Sequence, residues 1–422
     1  MKRIGYACLN LGLADSQMRT CRKSNASPDK LRDLITNNLA AMDKMIDYNI
    51  ANAIKMYRIS SDIIPFGSDL ATNDLDWVTE FSETFIQLGQ KIHDHDIRVS
   101  MHPGQYTVLN SPRPEVVDRA ILDLEYHTTF LDALGVDKSH KIILHIGGVY
   151  GDKESAMERF VINYKHLPDR VKNRLIIEND DRLYTISEVL SLSEKTGAPV
   201  VYDNLHNACH PSDASKTDHY WISQAMKTWS KSDGQPKIHY SQQKRPGRLG
   251  AHTPTIYLKE FLDFYYSIQD LDVDIMLEVK DKNLSAVKCQ LATQQDRHIK
   301  YLEKEWQRYK YAVLAHSQSH YQAVRELLKD KGSYPVVKFY TLIEEALDTD
   351  LDQGQEANTM DHIWGYFKNQ ATDKELSKYK RDKAKWLAGQ FSKQRLKKFL
   401  YRLALKYKEA YLLQSLYFFL DN

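Results

Sequence analysis

Eight short runs rich in Val, Ile and Leu punctuate the first 280 residues, and six of them stop on a histidine or a carboxylate. Run 98–101 stops on His102, run 141–144 on His145 and run 174–177 on Glu178. Run 200–202 stops on Asp203, Ile238 is followed by His239, and run 274–277 stops on Glu278. The other two are 4–8 and 53–59. Each is too brief for a helix and too continuously apolar for a half-exposed strand, which predicts strands buried on both faces in a parallel sheet. Helical spacing fills the intervals. Leu31, Leu34, Ile35, Leu39, Met42, Met45 and Ile46 follow a Ser27-Pro28-Asp29 start signal. Trp77, Phe81, Phe85 and Leu88 mark a second helix, Val117, Ile121, Leu124 and Phe130 a third, and 157–164, 186–192, 220–229 and 256–268 continue the rhythm. The fold class this predicts is α/β, a (β/α)8 barrel. An open doubly wound sheet would more often carry a glycine-rich phosphate turn after its first strand. Here Gly147-Gly148 follows the fourth strand and fits no G-x-G-x-x-G pattern.

In a parallel barrel the last residues of all strands meet at one rim, so six groups scattered in sequence become neighbours in space. With 56 Asp+Glu and 16 His among 422 residues, so many strands ending this way by accident is improbable. Histidine and carboxylate without cysteine suits Zn²⁺, Mn²⁺ or Fe²⁺, and the large oxygen share favours Mn²⁺. Asp203 and His206 lie one helical turn apart and can serve neighbouring ions, and Glu178, central in the set, can bridge two. Lys237 and His239 share a strand face. A protonated lysine among divalent cations is strongly disfavoured, so Lys237 is neutral, turned away, or converted by CO2 into an anionic carbamate ligand. His252, after 248–251, reaches the rim from a loop. Glu178, Lys237 and His239 are the candidate catalytic residues. Two to three ions a few ångströms apart suit phosphodiester hydrolysis, because they acidify and orient a water and stabilise the departing 3′ oxygen.

The rest of the chain sets bounds. A length of 422 residues fits one large domain and a smaller one. Cys8, Cys21, Cys209 and Cys289 show no C-x-x-C spacing, which predicts free thiols in a reducing compartment. The N-terminus enters a strand at once, no stretch is long and apolar enough to span a membrane, and a cytoplasmic monomer without membrane contact is expected. From about residue 296 the pattern turns to continuous helix formers and aromatics. The expected division is a barrel over 1–300 and an all-α domain over 301–422, the latter split by a polar interval at 348–358. Residues 368–408 carry 14 Lys/Arg against 3 Asp/Glu, a local charge of +11 in a chain whose total is +2. Such segregation attracts phosphate backbones.

Eight separated motifs, in order, resemble bacterial and fungal UV damage endonucleases: Ile4-Gly5-Tyr6-Ala7-Cys8-Leu9-Asn10, Tyr57-Arg58-Ile59-Ser60-Ser61-Asp62-Ile63-Ile64-Pro65, His102-Pro103-Gly104-Gln105-Tyr106, Leu144-His145, Glu178-Asn179, Asp203-Asn204-Leu205-His206, Lys237-Ile238-His239, and Glu278-Val279-Lys280. The resemblance covers residues 1 to about 290. It implies an endonuclease IV-like TIM barrel with a trinuclear, Mn-preferring site that incises UV-damaged double-stranded DNA immediately 5′ to photoproducts and abasic sites. It implies His102, His145, Glu178, Asp203, His206, His239, His252 and Glu278 as ligands, and a carboxylated Lys237. Gln105 and Tyr106 match the pair that wedges into the duplex, with Tyr6 and Asn10 in lesion binding. One position departs: Pro65-Phe66-Gly67-Ser68 leads to Asp69 where the family usually has histidine, which touches an accessory contact and not the metal core. The stretches 311–321 and 358–368 resemble an uncharacterised helical domain, in which His316, His320 and His362 form a candidate polar site. The rim alone also fits a sugar-phosphate isomerase or epimerase, distinguished by a small closed pocket. A scaffold role with an inactive barrel would need an incomplete ligand set.

Overall fold

The structure, a computed structural model, describes residues 2–420. Eight parallel strands close into a barrel in chain order: β1 (Ile4–Ala7), β2 (Met56–Ile59), β3 (Arg98–Met101), β4 (Ile142–His145), β5 (Leu175–Glu178), β6 (Val200–Asp203), β7 (Lys237–Tyr240) and β8 (Asp274–Leu277), with β8 paired back to β1. Strand β2 starts three residues later than its apolar run suggests. Ala53 adopts φ +54°, and the Ile54 amide bonds back to the Asn49 carbonyl at 2.8 Å, so 53–55 close the preceding helix instead of extending the strand.

Register sets the site. His145 lies opposite Glu178, and Asp203 opposite His239. Side chains two apart share a face, so Ile143, Ile176 and Val201, two residues before His145, Glu178 and Asp203, pack together with Trp229 beneath the rim. Two residues further back the same faces carry charge. Arg98 pairs with Asp274 at 3.1 Å, Lys141 with Asp233 at 2.5 Å and Arg174 with Asp132 at 2.7 Å. The ends of these strands thus differ in kind. One end is a set of closed ion pairs, the other a set of converging donors.

Helix α1 (Pro28–Ala51) begins as its sequence dictates: the Ser27 side chain accepts from the Lys30 amide, and proline occupies the first turn. Helix α2 (Ser82–Asp94) buries Phe85, Leu88, Gly89 and Ile92, and helix α3 (Pro114–Ala133) follows β3. Gly89 is a packing requirement, since a Cβ built there would stand 1.9 Å from the Leu134 carbonyl oxygen. Gly89→Ala would favour the helix by about 1 kcal/mol in isolation. Overpacking against backbone outweighs this, and a net loss of about 2 kcal/mol is expected in urea unfolding. An unchanged or raised midpoint would refute the close approach.

Residues up to Asn10, Asp15–Ile256 and Leu262–Val287 make one compact unit. A second comprises Leu11–Ala14, Tyr257–Phe261 and the chain from Lys288 onward. Inside the second unit Glu344 accepts from Lys288 Nζ at 2.7 Å and from the Leu258 amide at 3.1 Å. Its core gathers Tyr311, Met360, Ile363, Phe367, Leu396 and Leu400, and Trp364 stacks on Tyr379 with ring centres 4.5 Å apart. Its last two long helices are α4 (Asp373–Leu387) and α5 (Lys393–Lys406). The polar interval is shorter than expected, because Asp352 caps a helix, Gln353–Trp364, that absorbs half of it. Its three histidines do not converge. His316 contacts the Thr349 carbonyl, His320 contacts Ser317 Oγ, and His362 is exposed. Among the described residues no helix is long and apolar enough to cross a membrane.

Candidate active site

Glu178 ends β5 at the middle of the donor rim and is 1 % exposed. Four imidazoles surround its carboxylate. His239 Nδ1 stands 2.6 Å from Oε1, His102 Nε2 3.2 Å from Oε2, His145 Nε2 3.7 Å from Oε2, and His206 Nδ1 3.8 Å from Oε1. Donor atoms converge in two groups, His102–His145–Glu178 and Glu178–Asp203–His239, each within 4.8 Å. Glu178 belongs to both, the geometry of a carboxylate able to bridge two ions.

Asp203 ends β6 and caps the six-residue helix Asn204–Cys209, its Oδ1 accepting from the His206 amide at 2.8 Å. That start places His206 one turn on. His206 Nδ1 donates to the Asn179 carbonyl at 2.9 Å, which leaves Nε2 for the site. Glu278 follows β8, and its Oε1 is 3.3 Å from His239 Nδ1 and 2.6 Å from Arg58 Nη1. Lys237 is 2 % exposed, two residues before His239. His252 belongs to neither convergent group and forms a β-bridge with Gln243.

Burial alone would raise the Glu178 carboxyl, but His239, His145 and His102 hold it well below the usual carboxylate range. Burial raises Asp203 despite His206 beside it. The His206 imidazole reaches about 9, burial being overcome by Asp203, Glu178 and Glu278. Burial, helped by Arg98 and Arg58, drives Lys237 well below its ordinary value, which favours the uncharged amine. Three side-chain atoms of these residues are buried without a hydrogen-bond partner: His145 Nδ1, Asp203 Oδ2 and His239 Nε2. Orphaned buried acceptors are costly. Together with the N/O donor set they fit divalent cations.

The loop after β3 carries Gln105 and Tyr106 beyond the rim. Its base is tied down: the Thr107 amide bonds to the Gly104 carbonyl at 3.0 Å, and Thr107 Oγ1 donates to Asp123 Oδ2 on α3 at 2.6 Å. Tyr106 is 83 % exposed. It stands between two cavities. One, of about 690 Å³, reaches His145, His206, Gly147 and Arg182. The other, of about 620 Å³, is lined by Ser61, Asp62, Arg119 and His127. Tyr6 is fully buried and bonds through its hydroxyl to Asn49 Oδ1 at 2.8 Å and to Asn10 Oδ1. Asn10 is half-buried and keeps its Nδ2 without a partner. Asp69, at the departing position, is occupied by Lys23 at 2.8 Å and Thr72 at 2.6 Å.

Three supporting groups lie outside the set of candidate ligands read from the sequence. Arg58 comes from β2 and pairs with Glu278. Asn179 Nδ2 donates to the Asp203 carbonyl and its Oδ1 accepts from the Asp203 amide, holding β6 and His206 together. Ser61 Oγ donates to the His102 carbonyl at 2.6 Å, with His127 Nε2 2.9 Å behind it. Arg58 was detectable, since it lies near the end of β2. Asn179 and Ser61 act on backbone and leave no spacing signature.

Two family models match the chain: UV-endonuclease UvdE over residues 2–310, and a protein of unknown function, DUF1722, over 310–420. The UV DNA damage endonuclease of Clostridium perfringens is 40% identical over 349 residues, 82% of this chain and 83% of that one. That of Bacillus velezensis is 36% identical over 260 residues, 60% of this chain and 80% of the relative. The crystal structure of SacUVDE superposes with a TM-score of 0.64 at 36% identity, covering 68% of this chain and 96% of that one.

Proposed function

This chain belongs to the UV-endonuclease UvdE family, and from that premise we propose that it is a metal-dependent DNA repair endonuclease hydrolysing the phosphodiester immediately 5′ to UV photoproducts and abasic sites. The observation that carries the reading is Glu178 enclosed by four histidines, with unpartnered buried atoms on His145, Asp203 and His239. His102 and His145 would hold one ion with Glu178, and Asp203 and His239 a second, with His206 and Glu278 at its edge. His252 would complete a third site from its loop. Mn²⁺ is the favoured ion, and what the ions supply when bound is charge neutralisation at the scissile phosphate and activation of a water.

The chain's own residues do the rest. Arg58 holds Glu278 in place through a buried ion pair. Asn179 fixes the imidazole of His206 through its carbonyl. A neutral Lys237 amine is the form that can add CO2, losing a proton to become a carbamate ligand beside His239. Tyr106 and Gln105 enter the duplex at the lesion, Tyr106 stacking where bases are extruded and Gln105 bonding to their orphaned partners. The cavity of about 690 Å³ between Tyr106 and His145 gives an extruded nucleotide access to the rim. Asn10 meets the lesion, and Tyr6 positions it from beneath. We take the barrel domain as 1–300 and the helical domain as 301–422, working as a cytoplasmic monomer.

The test is supercoiled plasmid, irradiated or not, incubated with the protein and Mn²⁺ or with EDTA. Nicking confined to irradiated plasmid and abolished by EDTA is expected. Failure to nick irradiated plasmid with Mn²⁺ present rules the function out.

A further inference from the structure

Helices α4 and α5 of the second unit run antiparallel and repeat one pattern. Lys374, Lys378, Arg381 and Lys385 on α4 are spaced 4-3-4, and so are Arg395, Phe399, Arg402 and Lys406 on α5. At 3.6 residues per turn this spacing keeps each set on one side of its helix. The buried positions, Tyr379 and Asp382 on α4 and Leu396, Leu400 and Leu403 on α5, lie on other sides. Two contacts bring the stripes together: Lys378 Nζ stands 5.0 Å from the centre of the Phe399 ring, and Lys406 pairs with Glu375 at 2.6 Å. Both stripes therefore border one groove, and Lys398 widens it beside Arg395 and Arg402.

Little within the chain neutralises this groove. Asp382, nearly buried, binds Lys378 and Arg381 from below and so fixes them in place. Glu375 answers Lys406. Lys374, Lys385, Arg395, Lys398 and Arg402 are exposed and make no ion pair among the described residues. Like charges a helical turn apart repel. A double row of them is an unfavourable arrangement until an anion with matching repeat lies along it.

We propose that this groove is a second nucleic-acid surface, holding the sugar–phosphate backbone of duplex DNA without regard to sequence. The twelve residues of helix from Lys374 to Lys385 run about 16 Å, long enough to follow several phosphates of a duplex, which carries one charge per about 1.7 Å of axis. Lysine and arginine on backbone position a protein and read no sequence. Single-stranded nucleic acid asks for exposed aromatic platforms. Phe399 and Trp386, the aromatics here, instead pack against the core. The choice of DNA as occupant rests on the nuclease reading above.

The test uses the full chain carrying Lys374→Gln, Lys385→Gln, Arg395→Gln and Arg402→Gln together, all exposed and outside every ion pair described. Fluorescence anisotropy on an undamaged 30-base-pair duplex from 50 to 200 mM salt gives affinity and salt slope. The slope of log K against log salt is expected to fall by about 3.6, at roughly 0.9 for each of four phosphates no longer neutralised, with binding at 50 mM at least tenfold weaker. Nicking of irradiated plasmid at saturating enzyme is expected to be unchanged. A charge-matched control, Lys300→Gln, Lys304→Gln, Lys329→Gln and Lys338→Gln, removes four cations elsewhere in the unit. Equal slopes in the two variants overturn the proposal. A greater loss of binding to a 30-nucleotide RNA or to phosphatidylserine vesicles than to the duplex overturns the occupant. An unaltered slope with normal nicking sinks the groove alone, whereas a lowered slope with no nicking by the unmodified protein sinks the nuclease reading alone.

Discussion

Replacing Glu178 with alanine abolishes nicking of irradiated plasmid, with an expected loss of at least about 10³-fold in rate. The carboxylate is the one group shared by both donor clusters, so its removal disturbs every ion the rim would hold. Four histidines then converge on a space with no anion, and the expected companion result is loss of bound Mn²⁺ by elemental analysis. Glu178→Gln separates charge from shape: the amide fits the same volume but contributes no negative charge. It should bind little metal and incise as poorly as the alanine variant. Retention of a tenth of normal activity by Glu178→Gln would sink the bridging role, because no neutral amide can balance two divalent ions.

Tyr106→Ala is expected to slow incision at photoproducts by about 10- to 100-fold while slowing incision at abasic sites by no more than a few fold. Stacking on an aromatic ring contributes about 1–3 kcal/mol per base, and that stabilisation is needed where two intact bases must leave the stack. An abasic site already lacks one of them. Tyr106 is 83 % exposed, so its loss should leave thermal stability within about 0.5 kcal/mol, and the effect cannot be assigned to unfolding. Gel assays on two duplexes, one with a photoproduct and one with an abasic site, decide the matter. Equal losses on both refute the wedge.

What the sequence makes legible depends on the physical signal each residue leaves. Buried parallel strands write themselves as short apolar runs, and a residue at the end of such a run must lie on the rim. His102, His145, Glu178, Asp203 and His239 can be placed together on that ground alone. The runs overshoot where a left-handed residue closes a helix, as Ala53 does. Rim chemistry by itself leaves hydrolase and isomerase both open, since the same donors serve either. Positions fixed by loop geometry are less legible. His252 comes from a loop and not a strand end, where it forms a β-bridge with Gln243, so no apolar run marks its place. Tyr6 carries a hydroxyl suited to a ligand, but its place in a strand buries it, and only its hydrogen bond to Asn10 reaches outward. Charge segregation in 368–408 is visible as a number, whereas the two matched stripes emerge only because the helices lie antiparallel.

The loop carrying Tyr106 is pinned by Thr107 to α3 and exposes its ring without a folding partner. On the wedge reading this makes the protein the stiff member of the encounter and the DNA the yielding one. The probe spends little ordering entropy on insertion, so success depends on how readily the double helix gives way. Such a device gauges mechanical compliance rather than chemical identity. It would accept unlike lesions on the one property they share, a weakened stack, and would pass over intact duplex that resists.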